Sequence, residues 1–330
     1  MKTRLMLMLL AALCLLGGCA APESTAVDDK YDELIVVGFS QVGAESDWRN
    51  ANTRSMQQAL SAENGFRLII DDAQQKKERQ ITAIRNFIHQ GVDYIVLAPT
   101  TEDGWETVLG EAKAAGIPVI IIDRMIDRSL ATGEGANDLF TCWIGSDFTR
   151  QGDTAVRWME DRFGDAPLKI VHLQGNYGSS AQVGRTASLD EGLRRNPSWT
   201  VVARDSGDFT QAKGQELVEA YLARGIAFDV IFAENDNMAY GAIDALKNAG
   251  IAPGRDVTIV SFDANRTALL MIMAGEINCD VECNPLHGPR VRAVIEQLER
   301  GETPLKYTYV EETVFDGQGL TRELIDSRGY

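Results

Sequence analysis

Short apolar runs alternate with longer segments of mixed polarity along most of this chain. A run that is apolar throughout is typical of a strand buried on both faces, as in a parallel sheet covered by helices. The predicted strands span residues 34–39, 66–71, 94–98, 119–123, 168–173, 200–204, 229–233 and 257–262.

The segments between these runs carry apolar residues three and four positions apart, which is the periodicity of an amphipathic helix. The predicted helices span residues 48–63, 76–89, 104–115, 149–163, 181–195, 211–224, 238–249 and 266–274. Alternating strands and helices predict the α/β class, with doubly wound parallel sheets. Because the series runs once to about residue 142 and again from about residue 144, we expect two similar lobes.

Three late segments do not continue this simple repeat. They are residues 277–282, residues 307–314 and a C-terminal helix near residues 321–327. We interpret them as places where the chain crosses between the lobes.

The first residues have the composition of an export signal. Lys2 and Arg4 precede an apolar stretch, residues 5–16, which is too short to span a bilayer as a stable helix. The ending Leu16-Gly17-Gly18-Cys19 resembles the bacterial lipobox and implies a signal peptide over residues 1–19 with a lipidated Cys19. Alternatively, Cys19 is an ordinary signal-peptide residue. Residues 20–33 lack apolar periodicity and predict a flexible tether with a reach of about 20 Å.

Charge and cysteine content exclude several classes of protein. A net charge of -16 argues against a nucleic-acid partner, since a phosphate backbone requires a basic surface. Beyond Cys14 and Cys19 there remain Cys142, Cys279 and Cys283, an odd number without a C-x-x-C motif, so neither a disulfide framework nor a metal site is predicted. Cys142 could still pair with either of the others if their strands lie side by side.

Polar and aromatic residues follow the predicted strands, at the edge where ligands bind in doubly wound sheets. Carboxylates and amides bind vicinal hydroxyl groups, arginine supplies a rigid fork of donors, and aromatic rings cover the C–H face of a sugar. This chemistry suits a carbohydrate. The residues in question are Ser40, Gln41, Ser46, Asp47, Trp48, Arg49, Trp105, Asp123, Arg124, Gln174, Arg185, Asp208, Phe209, Asn235, Asp236, Asp263, Ala264 and Asn265.

Each of these residues also has a purely structural interpretation. Trp48 and Trp105 could pack in the core, and Asp123 with Arg124 could form a surface ion pair. Asp208 and Asp236 are favoured as helix N-caps, because short side-chain acceptors bind the free N–H groups of a first turn. Asn235 is a less natural cap, since Asp236 stands between it and the predicted helix.

Several stretches resemble the type I periplasmic sugar-binding proteins of ABC importers, the ribose-binding family, and in particular its galactofuranose-binding branch. They extend over nearly the whole of residues 34–330. The stretches are residues 37–43, 45–49, 90–93 with 98–99, 122–124, 206–210 with 213–214, 235–238 with 241–242, and 261–263. The pair Trp48-Arg49 resembles the galactofuranose-binding branch in particular.

This resemblance implies an extracytoplasmic protein that captures a monosaccharide between two lobes joined by three hinge strands near Ile144, Glu282 and Glu312. It implies an N-terminal lobe of residues 34–143 with 283–311 and a C-terminal lobe of residues 144–282 with 312–330. It also implies a lipid-anchored monomer in the periplasm or on the outer face of the cytoplasmic membrane. The implied partner is a permease, and no cofactor is implied. Ribose binders have glutamine where Cys283 stands here, which weakens a ribose assignment. The implied ligand-binding residues are Gln41, Trp48, Arg49, Trp105, Asp123, Arg124, Arg185, Phe209, Asn235, Asp263 and Glu282.

Three other functions are compared with sugar import: an enzyme, a repressor and a sugar sensor. The chain lacks G-x-G-x-x-G after the first strand, a P-loop and a nucleophile elbow, and His89, His172 and His287 are each assigned a structural role, which argues against an enzyme. A cleft enzyme acting on glycosides stays open, because two carboxylates can meet in any cleft. A LacI-type repressor is rejected because an export signal replaces the DNA-binding segment. A sugar sensor that docks on a chemoreceptor or sensor kinase remains an alternative.

Overall fold

A computed structural model describes residues 34–130 and 138–330. The predicted signal peptide, the lipidated Cys19 and the tether lie outside the described residues. The strands are β1 Ile35–Gln41, β2 Phe66–Asp72, β3 Tyr94–Leu97, β4 Val119–Asp123, β5 Cys142–Gly145, β6 Leu168–Gln174, β7 Trp199–Ser206, β8 Val230–Ala233, β9 Thr258–Asp263, β10 Cys279–Glu282, β11 Tyr307–Tyr309 and β12 Val314–Phe315. The helices are α1 Asp47–Ala59, α2 Lys77–Gln90, α3 Glu106–Ala114, α4 Phe148–Phe163, α5 Ser180–Arg195, α6 Gln211–Ala223, α7 Asp236–Asn248, α8 Arg266–Met273, α9 Gly288–Glu299 and α10 Arg322–Ser327.

The strands form two sheets with the same internal order. The first sheet runs β2-β1-β3-β4-β5-β11 and the second runs β7-β6-β8-β9-β10-β12. All pairings are parallel except that of β10 with β12. This confirms the predicted doubly wound α/β fold of two similar lobes. The strand order reverses beside β1 in one sheet and beside β6 in the other, and ligands of such folds bind at the carboxyl ends of these strands.

Both faces of each sheet are covered by apolar side chains. In the first sheet, Ile95 and Ile121 belong to the cluster on one face, whereas Val96 and Ile120 belong to the cluster on the other face. Successive side chains of a strand point to opposite faces, so this alternation requires helices on both sides. The strands are therefore apolar throughout because both of their faces are buried, as predicted.

The chain passes between the two sheets at three places. It leaves the first sheet after β5, returns after β10, and crosses again between β11 and β12. The carboxylate of Glu312, in the third crossing, accepts hydrogen bonds from Ser146 Oγ of the first crossing at 2.6 Å, from the backbone N–H of Asn284 of the second crossing at 3.0 Å, and from Gln151 Nε2 of α4 at 2.6 Å. The crossings are thus linked by one acidic side chain.

Two elements were absent from the prediction. Strand β5 falls at the boundary that was placed between the two series at residues 142–144, and α9 begins at Gly288 with a proline in its first turn and mixes charged with apolar residues. Helix α1 is also shorter than predicted: it ends at Ala59 and is followed by a 3₁₀ turn, Ala62–Asn64, which Gly65 closes in the left-handed region at φ 88°.

The suggested pairing of Cys142 is wrong. Cys142, Cys279 and Cys283 are all free and buried. Cys142 lies in the first sheet and Cys279 in the second, so their strands are not neighbours. Within residues 34–130 and 138–330, no helix combines the length and apolarity needed to span a membrane.

Candidate functional site

A cavity lies between the two lobes, at the carboxyl ends of the strands. It contains about 310 Å³ of empty space, including the part that opens to solvent. The lining residues are Glu45, Ser46, Trp48, Arg49, Asp123, Arg124, Phe148, Ala181, Arg185, Phe209, Asn235, Asp263 and Cys283.

Arg49 forms a buried ion-pair cluster on the side of the first lobe. Its Nη1 donates to Asp123 Oδ2 at 2.9 Å, and its Nε donates to Glu45 Oε1 at 3.3 Å. Burial alone would lower the pKa of Arg49, but the two neighbouring carboxylates outweigh it and raise that pKa. Nη1 also donates to Gln41 Oε1 at 3.2 Å. The guanidinium is therefore fixed before any ligand enters.

Asp123 and Glu45 also act on Arg124, but their charges do not outweigh its burial. Burial, with a further contribution from the charge of Arg49, lowers its pKa to about 10. The guanidinium donates to the carbonyl of Thr100 at 3.3 Å and lies 5.2 Å from the ring centroid of Phe209, a residue of the second lobe. This cation–π contact joins the two lobes across the cavity.

Arg185 is the corresponding cation of the second lobe. Its Nε and Nη2 donate to Gln151 Oε1 at 3.0 and 2.7 Å, and its Nη1 donates to the carbonyl of Glu234. Nη2 is 3.9 Å from Asp263 Oδ1. Burial raises the pKa of Asp263 well above its ordinary value, and the nearby charge of Asp236 adds to this rise.

The cavity thus contains three guanidinium groups and three carboxyl groups, namely those of Glu45, Asp123 and Asp263. With all six groups ionised their charges cancel, and both lobes supply donors as well as acceptors. An uncharged ligand with several hydroxyl groups would meet partners on each side without leaving a net charge buried.

Three cavity residues have backbone conformations that are rare for residues other than glycine. The φ angles are 62° at Asp123, 60° at Phe209 and 116° at Asp263. Such strain costs energy and persists where the surrounding structure enforces it, commonly at functional sites. Its occurrence at three residues around one cavity supports a binding role for this place.

Asn235 has two structural bonds as well as a place in the cavity. It is the N-cap of α7, where its Oδ1 accepts the N–H of Met238 at 3.0 Å, and its Nδ2 donates to the carbonyl of Phe209 at 3.1 Å. The predicted caps were therefore wrong: Asp236 is the first helical residue of α7, and Thr210, not Asp208, caps α6. The extended backbone at Asn235 aims its side chain back over the first turn.

Trp48 connects the first lobe with the hinge. Its indole N–H donates to the carbonyl of Cys283 at 2.6 Å, and its ring packs within a cluster composed mainly of second-lobe residues. The guanidinium of Arg49 lies 4.6 Å from the Trp48 ring centroid. Trp48 is thus both a wall of the cavity and a core residue, so the two interpretations of it are compatible.

Eight of the eleven predicted ligand-binding residues line the cavity, and Gln41, Trp105 and Glu282 do not. Gln41 lies behind Arg49 and accepts its hydrogen bond. The carboxylate of Glu282 accepts from Thr313 N at 3.1 Å, from Arg328 Nη2 at 3.0 Å and from Tyr330 Oη at 2.5 Å, so it holds the C-terminal residues against the hinge.

Four of the lining residues were not expected from the sequence: Glu45, Phe148, Ala181 and Cys283. Ser46 was expected at the edge of the sheet, although it was not among the implied ligand-binding residues. Glu45 and Ser46 belong to a stretch whose resemblance was noted, and Cys283 was compared with the glutamine of ribose binders. Phe148 packs 5.3 Å from the guanidinium of Arg185, a contact for which the sequence gives no signal.

Trp105 is buried in the core of the first lobe, with its indole N–H bonded to the carbonyl of Thr101 at 2.8 Å. We expect Trp105→Ala to lower the free energy of unfolding by about 3–5 kcal/mol, the usual cost of removing a large core side chain. The affinity of the folded fraction for ligand should stay the same. Urea unfolding and calorimetric titration measure the two effects, and a tenfold loss of affinity would contradict the placement of Trp105 outside the site.

None of the three histidines lines the cavity. His172 Nε2 lies 2.9 Å from Glu234 Oε1, and burial lowers the pKa of His287 to about 4. In the described part of the chain, no group of three or more histidine, cysteine or acidic residues could hold a metal ion.

Direct hydrogen bonds join the lobes around the cavity. The N–H of Asp47 donates to Asn237 Oδ1 at 3.0 Å, and the N–H of Met125 donates to Ser180 Oγ at 2.9 Å. The N–H of Glu102 donates to the carbonyl of Gly178 at 3.0 Å. The two rims are therefore in contact, and the cavity is closed on these sides.

The chain is similar to known proteins both in sequence and in structure. The sequence profile of the periplasmic binding protein domain matches residues 37–287. The chain is 36% identical over 285 residues to the galactofuranose-binding protein YtfQ of Escherichia coli K12, covering 85% of this chain and 87% of that protein.

Two solved structures add to the comparison. A Mycobacterium smegmatis protein in complex with β-D-fucofuranose has 39% identity and a TM-score of 0.81, covering 87% of this chain and 92% of that one. The periplasmic binding protein component of the arabinose ABC transporter of Shewanella sp. ANA-3, bound to α- and β-L-arabinofuranose, has 36% identity and a TM-score of 0.81, covering 89% and 95%. The chain belongs to the periplasmic binding protein family.

Proposed function

We propose that this periplasmic binding protein is the extracytoplasmic receptor of an ABC importer, and that its cavity binds a monosaccharide in the furanose form, galactofuranose or a close relative. The observation that carries the proposal is the small cavity with balanced charges, lined by guanidinium and carboxyl groups from both lobes. The relatives with 36–39% identity that bind galactofuranose, fucofuranose and arabinofuranose support a furanose ligand.

Capture follows from the two-lobed geometry. A sugar whose hydroxyl groups bond to Asp123 and Arg124 on one side and to Arg185 and Asp263 on the other stabilises the closed form, because those contacts cannot all exist when the lobes separate. An unpaired buried polar group costs about 1–3 kcal/mol, so epimers and ring forms that misplace one hydroxyl group are rejected.

The closed form would then present the outer surfaces of both lobes to a membrane permease. We also propose that the mature chain is a monomer held at the membrane by a lipid on Cys19, at the end of the segment over residues 20–33. The tether would raise the local concentration of the loaded receptor at the permease. The protein acts without catalysis in this proposal, and the related proteins are likewise solute-binding proteins rather than enzymes.

Calorimetric titration of residues 34–330 with a panel of aldoses and furanosides tests the ligand class. We expect binding of one furanose near micromolar affinity, about -8 kcal/mol, and weaker binding of its pyranose-locked methyl glycoside. Tight binding of an amino acid or nucleotide, with no response to any sugar, would overturn the proposal. Release of reducing sugar from a glycoside during incubation would favour a cleft enzyme instead.

A further inference from the structure

Two carboxyl groups lie buried directly behind Asp263. Asp236 is the first residue of α7 and Asp280 lies in β10, and neither is exposed to solvent. Ser261, which is paired with Asp280 in the register of β9 and β10, donates its hydroxyl group to Asp236, so the two carboxyl groups are neighbours. They do not line the cavity, and the proposed capture mechanism makes no direct use of them.

The hydrogen bonds of this pair leave a place for one proton. Asp236 Oδ1 accepts from Ser261 Oγ at 2.7 Å, and Oδ2 accepts from the N–H of Asn265 at 3.0 Å. Asp280 Oδ1 accepts from the N–H of Ala264 at 3.1 Å, whereas Asp280 Oδ2 has no donor among the described residues. Two ionised carboxylates this close would repel each other in an interior of low dielectric constant, and a proton between them removes the repulsion.

The groups around the pair do not stabilise two ionised carboxylates in place of the shared proton. Burial raises the pKa of Asp236 well above its ordinary value, and the neighbouring Asp280 raises it further. Burial also raises the pKa of Asp280. The hydrogen bond from Asp236 opposes this rise, and the charge of Asp263 adds to it. The other ionisable groups that face the pair are Tyr240, Cys279 and the cation Arg328.

Both carboxyl groups hold one strained turn. Asp263 and Ala264 have φ angles of 116° and 52°, conformations that a side chain makes unfavourable. The N–H groups of Ala264 and Asn265 point to Asp280 and Asp236. Without these acceptors the turn would relax, and the carboxyl group of Asp263, 3.9 Å from Arg185 across the cavity edge, would change direction.

We propose that Asp236 and Asp280 are positioning residues for ligand binding: a carboxyl pair that shares one proton, holds the turn at residues 263–265 and thereby aims Asp263 at the ligand. The positioning role rests on the proposed function, because it requires that Asp263 contacts the bound sugar. The shared proton does not rest on it.

Two replacements of Asp280 distinguish the role of the shared proton from the role of the oxygen that accepts the Ala264 N–H. In Asp280→Asn, the amide oxygen still accepts from Ala264 N and the amide N–H takes the place of the shared proton, so the affinity for the sugar should stay within about threefold of wild type. Asp280→Ala leaves the Ala264 N–H without an acceptor and removes the carboxyl group with which Asp236 shares a proton, and we expect the affinity to fall by about tenfold or more. Calorimetric titration with the sugar that the wild-type chain binds measures both.

Infrared spectroscopy near neutral pH tests the shared proton itself. The wild-type protein should show a C=O stretching band of a buried protonated carboxylic acid that disappears in Asp280→Asn. A band that persists in Asp280→Asn and disappears in Asp263→Asn would overturn the shared proton, since it would assign the proton to Asp263.

Tyr221→Phe is the matched control for a general loss of stability. It removes a hydrogen bond of 2.8 Å to Asp205 in the same lobe, away from the cavity, and should lower stability while leaving affinity unchanged. If Asp280→Ala does not fold, Ser261→Ala removes one donor of Asp236 and should weaken binding in a folded chain.

The positioning role is overturned if a folded Asp280→Ala binds as tightly as wild type, or if Asp280→Asn is as weak as Asp280→Ala. A wild-type chain that binds no sugar would overturn the proposed function and the positioning role with it, and the infrared band would still decide the shared proton.

Discussion

An Asp123→Asn variant will lose affinity for the sugar by about 100-fold or more, because a hydrogen bond to a charged group contributes about 1.5–3 kcal/mol and this carboxylate is expected to accept more than one. The amide presents N–H donors where the sugar hydroxyl groups and Arg49 need an acceptor. The variant also removes one of the two carboxylates that pair with buried Arg49 and leaves only Glu45, at 3.3 Å. Some loss of stability therefore accompanies the loss of affinity.

Titration calorimetry and urea unfolding of the same preparation measure the two effects of Asp123→Asn. The matched control is Asp256→Asn, which removes a carboxylate with 44% exposure from a surface pair with Arg255. The control should bind as wild type does. Equal affinity of Asp123→Asn and wild type would show that Asp123 serves the fold alone.

A Gly175→Ala variant will lose affinity by about tenfold or more, although no ligand-binding side chain is changed. A Cβ at Gly175 would lie 1.8 Å from Cζ of Phe209, closer than atoms can approach, so the ring must move. Phe209 forms one wall of the cavity and receives the guanidinium of Arg124 at 5.2 Å from its centroid. Its displacement therefore disturbs the contact that joins the two lobes.

Gly110→Ala is the control for this substitution. Gly110 lies in α3, a Cβ there would meet nothing within 4 Å, and alanine should raise stability by up to about 1 kcal/mol. A crystal structure or the binding enthalpy of Gly175→Ala would reveal the ring movement. An unchanged affinity together with a displaced Phe209 would remove Phe209 from the binding residues.

The architecture could be predicted because its signal is repeated. Each buried parallel strand is apolar on both faces, and each covering helix has one apolar side, so the same pattern occurs at every unit. Strand β5 and helix α9 do not repeat this unit: β5 is followed by the first crossing between the sheets, and α9 buries few of its residues, among them Val291 and Ile295, against a neighbouring helix.

The site could be predicted in part because parallel strands bring their carboxyl ends to one edge. Asp123, Asn235 and Asp263 follow or end three such strands, and all three reach the cavity. Trp105 follows a strand as well, but its ring turns into the core, where 0% of its surface is exposed. Position after a strand indicates the edge of the sheet and does not determine the direction of a side chain.

The remaining differences arise from contacts between distant parts of the chain. Glu282 was assigned to the ligand, but the C-terminal Arg328 and Tyr330 reach it first. Phe148 enters the cavity because Arg185, on another helix, lies beside its ring. Neither contact leaves a trace in the local sequence, since the partners are separated by more than thirty positions.

The three crossings between the sheets also impose an order on synthesis and folding. The first sheet includes residues 307–309 and the second includes residues 314–315, so neither lobe has its full set of strands until nearly the whole polypeptide is available. Pairings between residues so distant along the chain form slowly. A nascent chain therefore lacks a complete sheet in either lobe through most of its synthesis.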